Sequence, residues 1–167
     1  MAELGMPPIV TDYLLHGLDA TPAVLASMLE PVAVADRRWN HRPDPERFTL
    51  REMVAHLADW EVIFRSRMVR ILREDHPALE GIDEERLAID NDYASCDPLA
   101  QLAVYVAERK ASLTFLHGLS GDQWLRWGSR LPNVPRLSIS DTAVLMLGHD
   151  GYHLQQCAEW LRASTER

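Results

Sequence analysis

The chain has 167 residues, with 17 Lys and Arg against 25 Asp and Glu, which gives a formal net charge of -8. Hydrophobic residues make up 47% of the sequence, enough for one packed core, so intrinsic disorder is excluded. The negative charge disfavours binding to nucleic acid or to an anionic membrane surface. We therefore expect a single domain over residues 1–167.

We expect no targeting segment, no transmembrane helix and no disulfide framework. Residues 1–8 contain no basic region followed by an apolar stretch, so we expect no signal peptide. No segment approaches the roughly 18 uninterrupted apolar residues of a transmembrane helix. Two cysteines, Cys96 and Cys157, are too few for a disulfide framework. These features predict a soluble cytoplasmic protein with reduced thiols.

The first predicted helix is less regular than the others. Residues 10–18 have helical spacing, and Thr21-Pro22 then has the composition of a new N-cap and first helical position. We expect either a bend at this point or two short helices, the second of which ends near Glu30.

The second predicted helix begins with a capping box, in which Thr49 is the N-cap and Glu52 lies three residues later. It runs from Leu50 to Arg73, and Pro77 ends it. His56 lies within its apolar stripe, which consists of Met53, Leu57, Trp60, Phe64, Met68 and Ile71.

Two more long helices follow. Asp97 caps one that begins at Pro98 and stops at Gly118. Its predicted buried side consists of Leu99, Leu102, Ala103, Val106, Leu113 and Leu116. The last helix begins at the Ser138-Ile139-Ser140-Asp141 run and extends to about Ala163. One of its faces carries Thr142, Leu145, Met146, His149, His153, Gln156 and Trp160.

The connections add short helices, predicted at residues 83–90 and 120–125. No window alternates apolar and polar residues well enough to predict a strand. We therefore expect an all-α fold: a four-helix bundle with long crossover connections and short extra helices.

Three histidines suggest a metal site. His149 and His153 are four residues apart, so they lie on one helix face with Cβ atoms about 5–6 Å apart. Two imidazoles held in this way can share one ion, and His56 offers a third from another helix. Three protein ligands leave positions open for water or substrate, which is typical of a reactive metal. The other histidines are expected at the surface or at caps: His16, His41, His76 and His117.

The sequence resembles the DinB-like family of damage-inducible, metal-binding four-helix bundles, which also includes thiol S-transferases and thiol-dependent isomerases. The resemblance rests on WNHRP at residues 39–43, FTLREMVAHLADWE at residues 48–61 and HDGYHLQQ at residues 149–156. It implies that His56, His149 and His153 are metal ligands, with nickel or zinc as the ion. It also implies a homodimer, and a low-molecular-weight thiol as a further cofactor.

Three classes of function remain open. The favoured one is a metal-dependent transferase or hydrolase that acts on a small molecule through a thiol or a metal-bound water. No general base accompanies the ligands in the sequence, unlike the glutamate of a His-Glu-x-x-His protease, and this favours thiolate chemistry. The alternatives are a stress-response protein with a structural or sensory metal, and a metal-free bundle that acts through protein contacts.

Other polar residues near the ligands have two interpretations each. Gln156 could orient a ligand or donate to a metal-bound water, or it could form an ordinary interhelical hydrogen bond. Cys157 could offer a thiolate to the metal, but we expect a small buried residue. Arg109 could bind an anionic substrate, but we expect it to reach water. Asp59 and Asp150 are expected to be surface or subunit-contact charges, but either could instead accept a hydrogen bond from a histidine of the adjacent helix.

Overall fold

The computed structural model describes residues 6–163. The expectation of no signal peptide in residues 1–8 therefore falls mostly outside the described residues. No helix in the described part of the chain has the length and apolar character needed to span a membrane.

Four long helices form a bundle. Helix α2 packs against α4 and α6, and α1 packs against α4 and α6. The elements are α1 (Pro8–Leu29), α2 (Leu50–Arg73), α3 (Glu84–Asp90), α4 (Pro98–His117), α5 (Gly121–Trp124), β1 (Trp127–Arg130), β2 (Val134–Ser138) and α6 (Ile139–Ala163), with a 3-10 helix at Arg37–Asn40. The all-α prediction is confirmed, and short helices lie in both connections where the sequence predicted them.

The predicted capping residues begin the long helices. The Thr49 hydroxyl accepts a hydrogen bond from the Glu52 N–H, and the Glu52 carboxylate accepts one from the Thr49 N–H at 2.8 Å. Asp97 accepts hydrogen bonds from the first N–H groups of α4. Side-chain caps of this kind satisfy backbone donors that have no partner within the helix, which explains why α2 and α4 have the bounds that the sequence predicted.

Helix α1 is continuous through Pro22, so the alternative of two short helices is wrong. Thr21 is not an N-cap; its hydroxyl lies 3.4 Å from the Leu18 carbonyl oxygen. Proline has no N–H to donate to the carbonyl four residues earlier, so the Leu18 carbonyl is free of its usual helical partner. It accepts a hydrogen bond from Arg109 Nη1 at 2.7 Å instead. Arg109 of α4 thus satisfies the carbonyl that Pro22 leaves without a helical partner in α1.

An antiparallel hairpin of β1 and β2 was not predicted from the sequence. The strands have four and five residues, and their burial does not alternate, so they lack the period-two signal. Close backbone approach holds the hairpin on the bundle: a Cβ at Gly128 would lie 2.6 Å from the Pro77 carbonyl oxygen. The Ser129 N–H also donates to that oxygen. The hairpin therefore closes over the segment that leaves α2.

Apolar side chains form two core clusters, and polar side chains separate them. On α1, Leu18 belongs to the first cluster and Leu25 to the second. On α4, Leu113 belongs to the first and Tyr105 to the second. Polar residues lie between the two clusters: Thr21 on α1, Glu61 on α2, Arg109 on α4 and Asp150 on α6. The last three are buried. The bundle thus contains a polar layer at mid-height.

Two predicted apolar faces are partly wrong. The buried side of α4 consists of Pro98, Tyr105, Arg109, Ser112, Leu113 and Leu116, while Leu99 and Ala103 are exposed. On α6, Leu145 is 51% exposed. In α4 a buried arginine and serine interrupt the apolar pattern, so the apolar residues alone do not identify the buried face.

Candidate metal centre

The structure brings the three predicted histidines together. Helix α2 supplies His56, and α6 supplies His149 and His153 one turn apart. His149 Nε2 lies 2.9 Å from His56 Nε2 and 3.2 Å from His153 Nε2. All three nitrogens lie within 4.8 Å of one another, a spacing that can hold a metal ion. Donor nitrogens bound to one tetrahedral ion lie roughly 3.3 Å apart.

Hydrogen bonds alone do not satisfy this cluster. Both short contacts converge on one atom, His149 Nε2, and a neutral imidazole nitrogen carries either one proton or one lone pair. It can therefore form one linear hydrogen bond but not two. A shared cation satisfies all three nitrogens at once, so the donor set fits a metal.

Gln156 fixes which nitrogen of His153 faces the cluster. The Gln156 amide nitrogen donates to the Phe48 carbonyl oxygen at 2.6 Å, so its Oε1 must face the other way. That oxygen lies 3.0 Å from His153 Nδ1, which must then carry the ring proton and donate. The lone pair is thereby left on Nε2, as a metal ligand requires. Gln156 thus joins α6 to the residue before the Thr49 cap of α2 and orients the His153 ring.

Burial keeps the histidines neutral. Burial, together with the neighbouring His153 and His149, lowers the pKa of His56 from 6.5 to about 2. Burial lowers the pKa of His149 to about 3 and that of His153 to about 4, although Gln156 partly opposes the change at His153. Neutral imidazoles are the form that binds metals, so the cluster is ready to bind at ordinary pH.

The cluster opens into a cavity of about 460 Å³, which we call the histidine cavity. Its wall includes charged side chains from the segment before α2 and from α3, which the sequence analysis missed: Arg42, Glu46, Arg47, Glu84 and Glu85. Arg47 is held by Glu159 at 2.8 Å and by the rings of Tyr152 and Trp160. Glu84 and Glu85 are carboxylates that line the same cavity as the histidines, and only the tertiary fold brings them there.

Comparison with known proteins places the chain in a family. The DinB superfamily profile matches residues 17–157. The chain belongs to the DinB superfamily. No curated protein matches it at a significant level.

A solved structure shares the fold. It is YfiT from Bacillus subtilis, which superposes with a TM-score of 0.88 at 22% identity, over 96% of this chain and 90% of that one. YfiT is described as a probable metal-dependent hydrolase with an unusual four-helix bundle topology. At this identity the likeness establishes the four-helix fold.

In this DinB-superfamily chain, the polar layer beneath the histidines is an ion cluster around Arg109. Arg109 bonds both oxygens of Asp150, at 2.7 and 3.0 Å, and Glu61 at 2.8 Å. Tyr105 donates to Asp150 at 3.0 Å, and the Thr21 hydroxyl does so at 2.6 Å. We call these five side chains the Arg109 cluster. Burial alone would lower the pKa of Arg109, but the hydrogen bonds to Asp150 and Glu61 raise it.

The Arg109 cluster corrects two expectations. Arg109 is 2% exposed and does not reach water, because the carboxylates of α2 and α6 surround it. Asp150 is 3% exposed and is not a surface charge. Asp150 follows His149 in the chain, so the middle of α6 carries both a ring of the histidine cluster and an anchor of the bundle.

The remaining predicted residues lie apart from the cluster. Cys157 is fully buried, and burial raises the pKa of its thiol to about 12, so it is a core residue as expected. Asp59 is half-buried and accepts a hydrogen bond from the Tyr93 hydroxyl at 2.7 Å rather than from a histidine. The other histidines lie at the surface or at a helix end, as predicted: His16, His41, His76 and His117.

Proposed function

We propose that this DinB-superfamily protein is a metal-dependent hydrolase of small molecules, with one divalent ion held by His56, His149 and His153. The observation that carries the proposal is the double contact at His149 Nε2, at 2.9 and 3.2 Å, which hydrogen bonding cannot satisfy. An all-imidazole donor set suits nickel or zinc. The description of YfiT as a probable metal-dependent hydrolase supports the same reaction class.

The ion, when bound, supplies Lewis acidity that lowers the pKa of a coordinated water or thiol. The chain's own groups do the rest. Glu84 and Glu85 line the histidine cavity, so a carboxylate is available to accept a proton from the nucleophile. The sequence offered no base beside the ligands, and this favoured thiolate chemistry. Glu84 and Glu85 weaken that argument, because they line the same cavity. Arg42 and Arg47 line the same cavity, where they form ion pairs with Glu52 and Glu159.

Thiol S-transfer is the second candidate. The two arginines of the cavity wall favour it, because a low-molecular-weight thiol that carries carboxylates would pair with them. A structural or sensory metal is the non-catalytic alternative.

We also propose a homodimer and a single domain over residues 1–167. Light scattering at micromolar concentration tests the homodimer, and limited proteolysis tests the single domain.

Elemental analysis of untagged protein purified without chelators tests the metal site. We expect about one equivalent of nickel or zinc per chain, and its loss in His153→Ala with the helical circular dichroism retained. His16→Ala, an exposed histidine on α1, is the matched control and keeps the metal. Normal metal content in His153→Ala would refute the ligand assignment.

A substrate panel then separates the functional classes. Esters and amides are assayed with metal-loaded and metal-free protein, with and without small thiols. Metal-dependent conversion without thiol supports hydrolysis, and conversion that needs both metal and thiol supports S-transfer. If neither occurs while chelation lowers the melting temperature, the metal is structural or sensory.

A further inference from the structure

His149 also lines a second cavity, separate from the histidine cavity. It has a volume of about 510 Å³, within the range of small-molecule sites. Its wall is mostly apolar and comes from α2, the hairpin and α6: Trp60, Phe64, Val134, Leu137, Val144 and Leu145. His149 and Glu84 line both cavities, so the two spaces adjoin. We call this space the apolar cavity.

Two arginines of the apolar cavity lack a counter-ion. Arg67 is 7% exposed, and its hydrogen bond goes to the Glu80 carbonyl oxygen at 2.9 Å. Arg130 also lines the cavity. Neither forms a salt bridge with a carboxylate anywhere in residues 6–163. Burial and the nearby Arg130 both lower the pKa of Arg67. A buried guanidinium beside a second cation is costly unless an anion joins it.

The indole of Trp60 adds an unused donor to the same wall. Its Nε1 is buried and has no hydrogen-bond partner among the described residues. Trp60 also lies close to the metal-facing ring, with 5.7 Å between the Trp60 and His149 ring centroids. The guanidinium carbon of Arg67 lies 5.3 Å from the centroid of the same Trp60 ring. The Trp60 ring therefore adjoins both the histidine cluster and a cation of the cavity wall.

We propose that the apolar cavity binds the substrate of this enzyme, and that the substrate is an amphipathic carboxylate. Its anionic end pairs with Arg67 and Arg130, its apolar body lies against Trp60 and Phe64, and its labile group lies at His149. This assignment rests on the proposed metal-dependent hydrolase for the reaction, but the binding itself needs no metal. The charges that line the cavity are those of Arg67, Arg130 and Glu84, which leaves a net positive charge for an anion.

Octanoate and octan-1-ol are the probes, because they share an apolar chain and differ in charge. Binding is measured by isothermal titration calorimetry on the full chain, both as purified and after chelator treatment, with metal content determined for each sample. We expect octanoate to bind at least ten-fold more tightly than octan-1-ol, and to quench tryptophan fluorescence. Chelation leaves octanoate binding unchanged.

Glycines on α6 provide a cavity-filling variant and its control. A Cβ at Gly148 or at Gly151 meets nothing within 4 Å, so both positions accept a larger side chain. Gly148 lines the apolar cavity, whereas Gly151 lines neither cavity. Gly148→Leu should abolish binding of both probes, and Gly151→Leu should bind them as the unmodified chain does.

Arginine variants test the anionic end. Arg67→Met should weaken octanoate binding at least ten-fold and leave octan-1-ol unchanged. Arg130→Met, at a half-buried position, tests the same pair if Arg67→Met does not fold. Equal binding of the two probes, or octanoate binding that survives Gly148→Leu, would overturn the inference. The inference would also be overturned if the protein were a dimer that had to dissociate before octanoate could bind. A second copy of the chain would then occupy the apolar cavity.

The two proposals fail in different ways. Metal loading without octanoate binding overturns this inference and leaves the metal site intact. Octanoate binding by protein that contains no nickel or zinc as purified, before any chelator treatment, overturns the proposed hydrolase and leaves the carboxylate site intact.

Discussion

Gln156 Oε1 accepts a hydrogen bond from His153 Nδ1 at 3.0 Å, while the amide nitrogen of the same side chain holds the Phe48 carbonyl oxygen. The two bonds tie the imidazole of α6 to the residue before the Thr49 cap of α2. One amide therefore sets the tautomer of a proposed ligand and the contact between the two helices that carry all three histidines.

Replacing Gln156 with leucine should weaken metal binding although all three histidines remain in the sequence. Without the amide, His153 can rotate and carry its proton on Nε2, and loss of such a partner lowers metal affinity about 10–100-fold. Competition with a chromogenic chelator measures the change. Gln155→Leu is the matched control, since Gln155 is exposed and pairs with Glu159. Equal affinity in the two variants would show that Gln156 does not orient the ligand.

The stability of the metal-free protein should depend on pH through the three histidines. Their pKa values are lowered to about 2, 3 and 4 in the folded chain, against 6.5 for an ordinary histidine. The unfolded chain therefore takes up protons first as the pH falls below 6.5. The free energy of unfolding should decrease between pH 6.5 and 4, by at most about 1.4 kcal/mol per pH unit for each histidine.

Urea denaturation of chelator-treated protein at several pH values measures this effect. His149→Gln removes one of the titrating groups and should make the decrease shallower. A free energy of unfolding that stays constant from pH 7 to pH 5 would contradict the assignment of neutral, buried imidazoles.

The sequence predicted the elements in which local chemistry and burial agree. On α2 the cap at Thr49 and the apolar stripe through Met53 and Phe64 both indicate the observed helix, so its bounds and buried face were correct. The histidines of α6 were found because i, i+4 spacing is a property of one helix. Their meeting with His56 required the packing of α2 on α6, which spacing alone does not give.

The missed features depend on contacts between distant segments. The buried face of α4 runs through Tyr105 and Arg109, and Arg109 can be buried because Glu61 and Asp150 surround it. A prediction of the buried face from apolar residues alone assigns an arginine to the surface, because arginine is mostly exposed in proteins. Glu84 lines the histidine cavity from α3, and no local pattern connects it with the histidines. Two strands as short as β1 and β2 likewise carry too few residues for a periodic signal.

Loss of Arg109 should destabilise the fold strongly. Arg109→Met would leave the carboxylates of Glu61 and Asp150 buried without a cation, and breaking a buried pair in this way costs about 3–5 kcal/mol. Urea denaturation at pH 7.5 gives the change. Arg65→Met is the control: Arg65 pairs with Glu108 at partly exposed positions, so its loss should cost no more than about 1 kcal/mol. Similar losses in the two variants would argue against the Arg109 cluster as the anchor of the polar layer.

Cys157 should be inert in the folded protein despite its place one turn after His153. The side chain is fully buried and its pKa is raised to about 12, so almost no thiolate forms at pH 8. A thiol-specific chromogenic reagent should modify Cys157 only after unfolding in urea, and Cys157→Ala should keep its full metal content. Cys96, which is half-buried, is the internal comparison and should react first. Fast modification of Cys157 in the native protein, prevented by added nickel or zinc, would instead make its sulfur a fourth ligand.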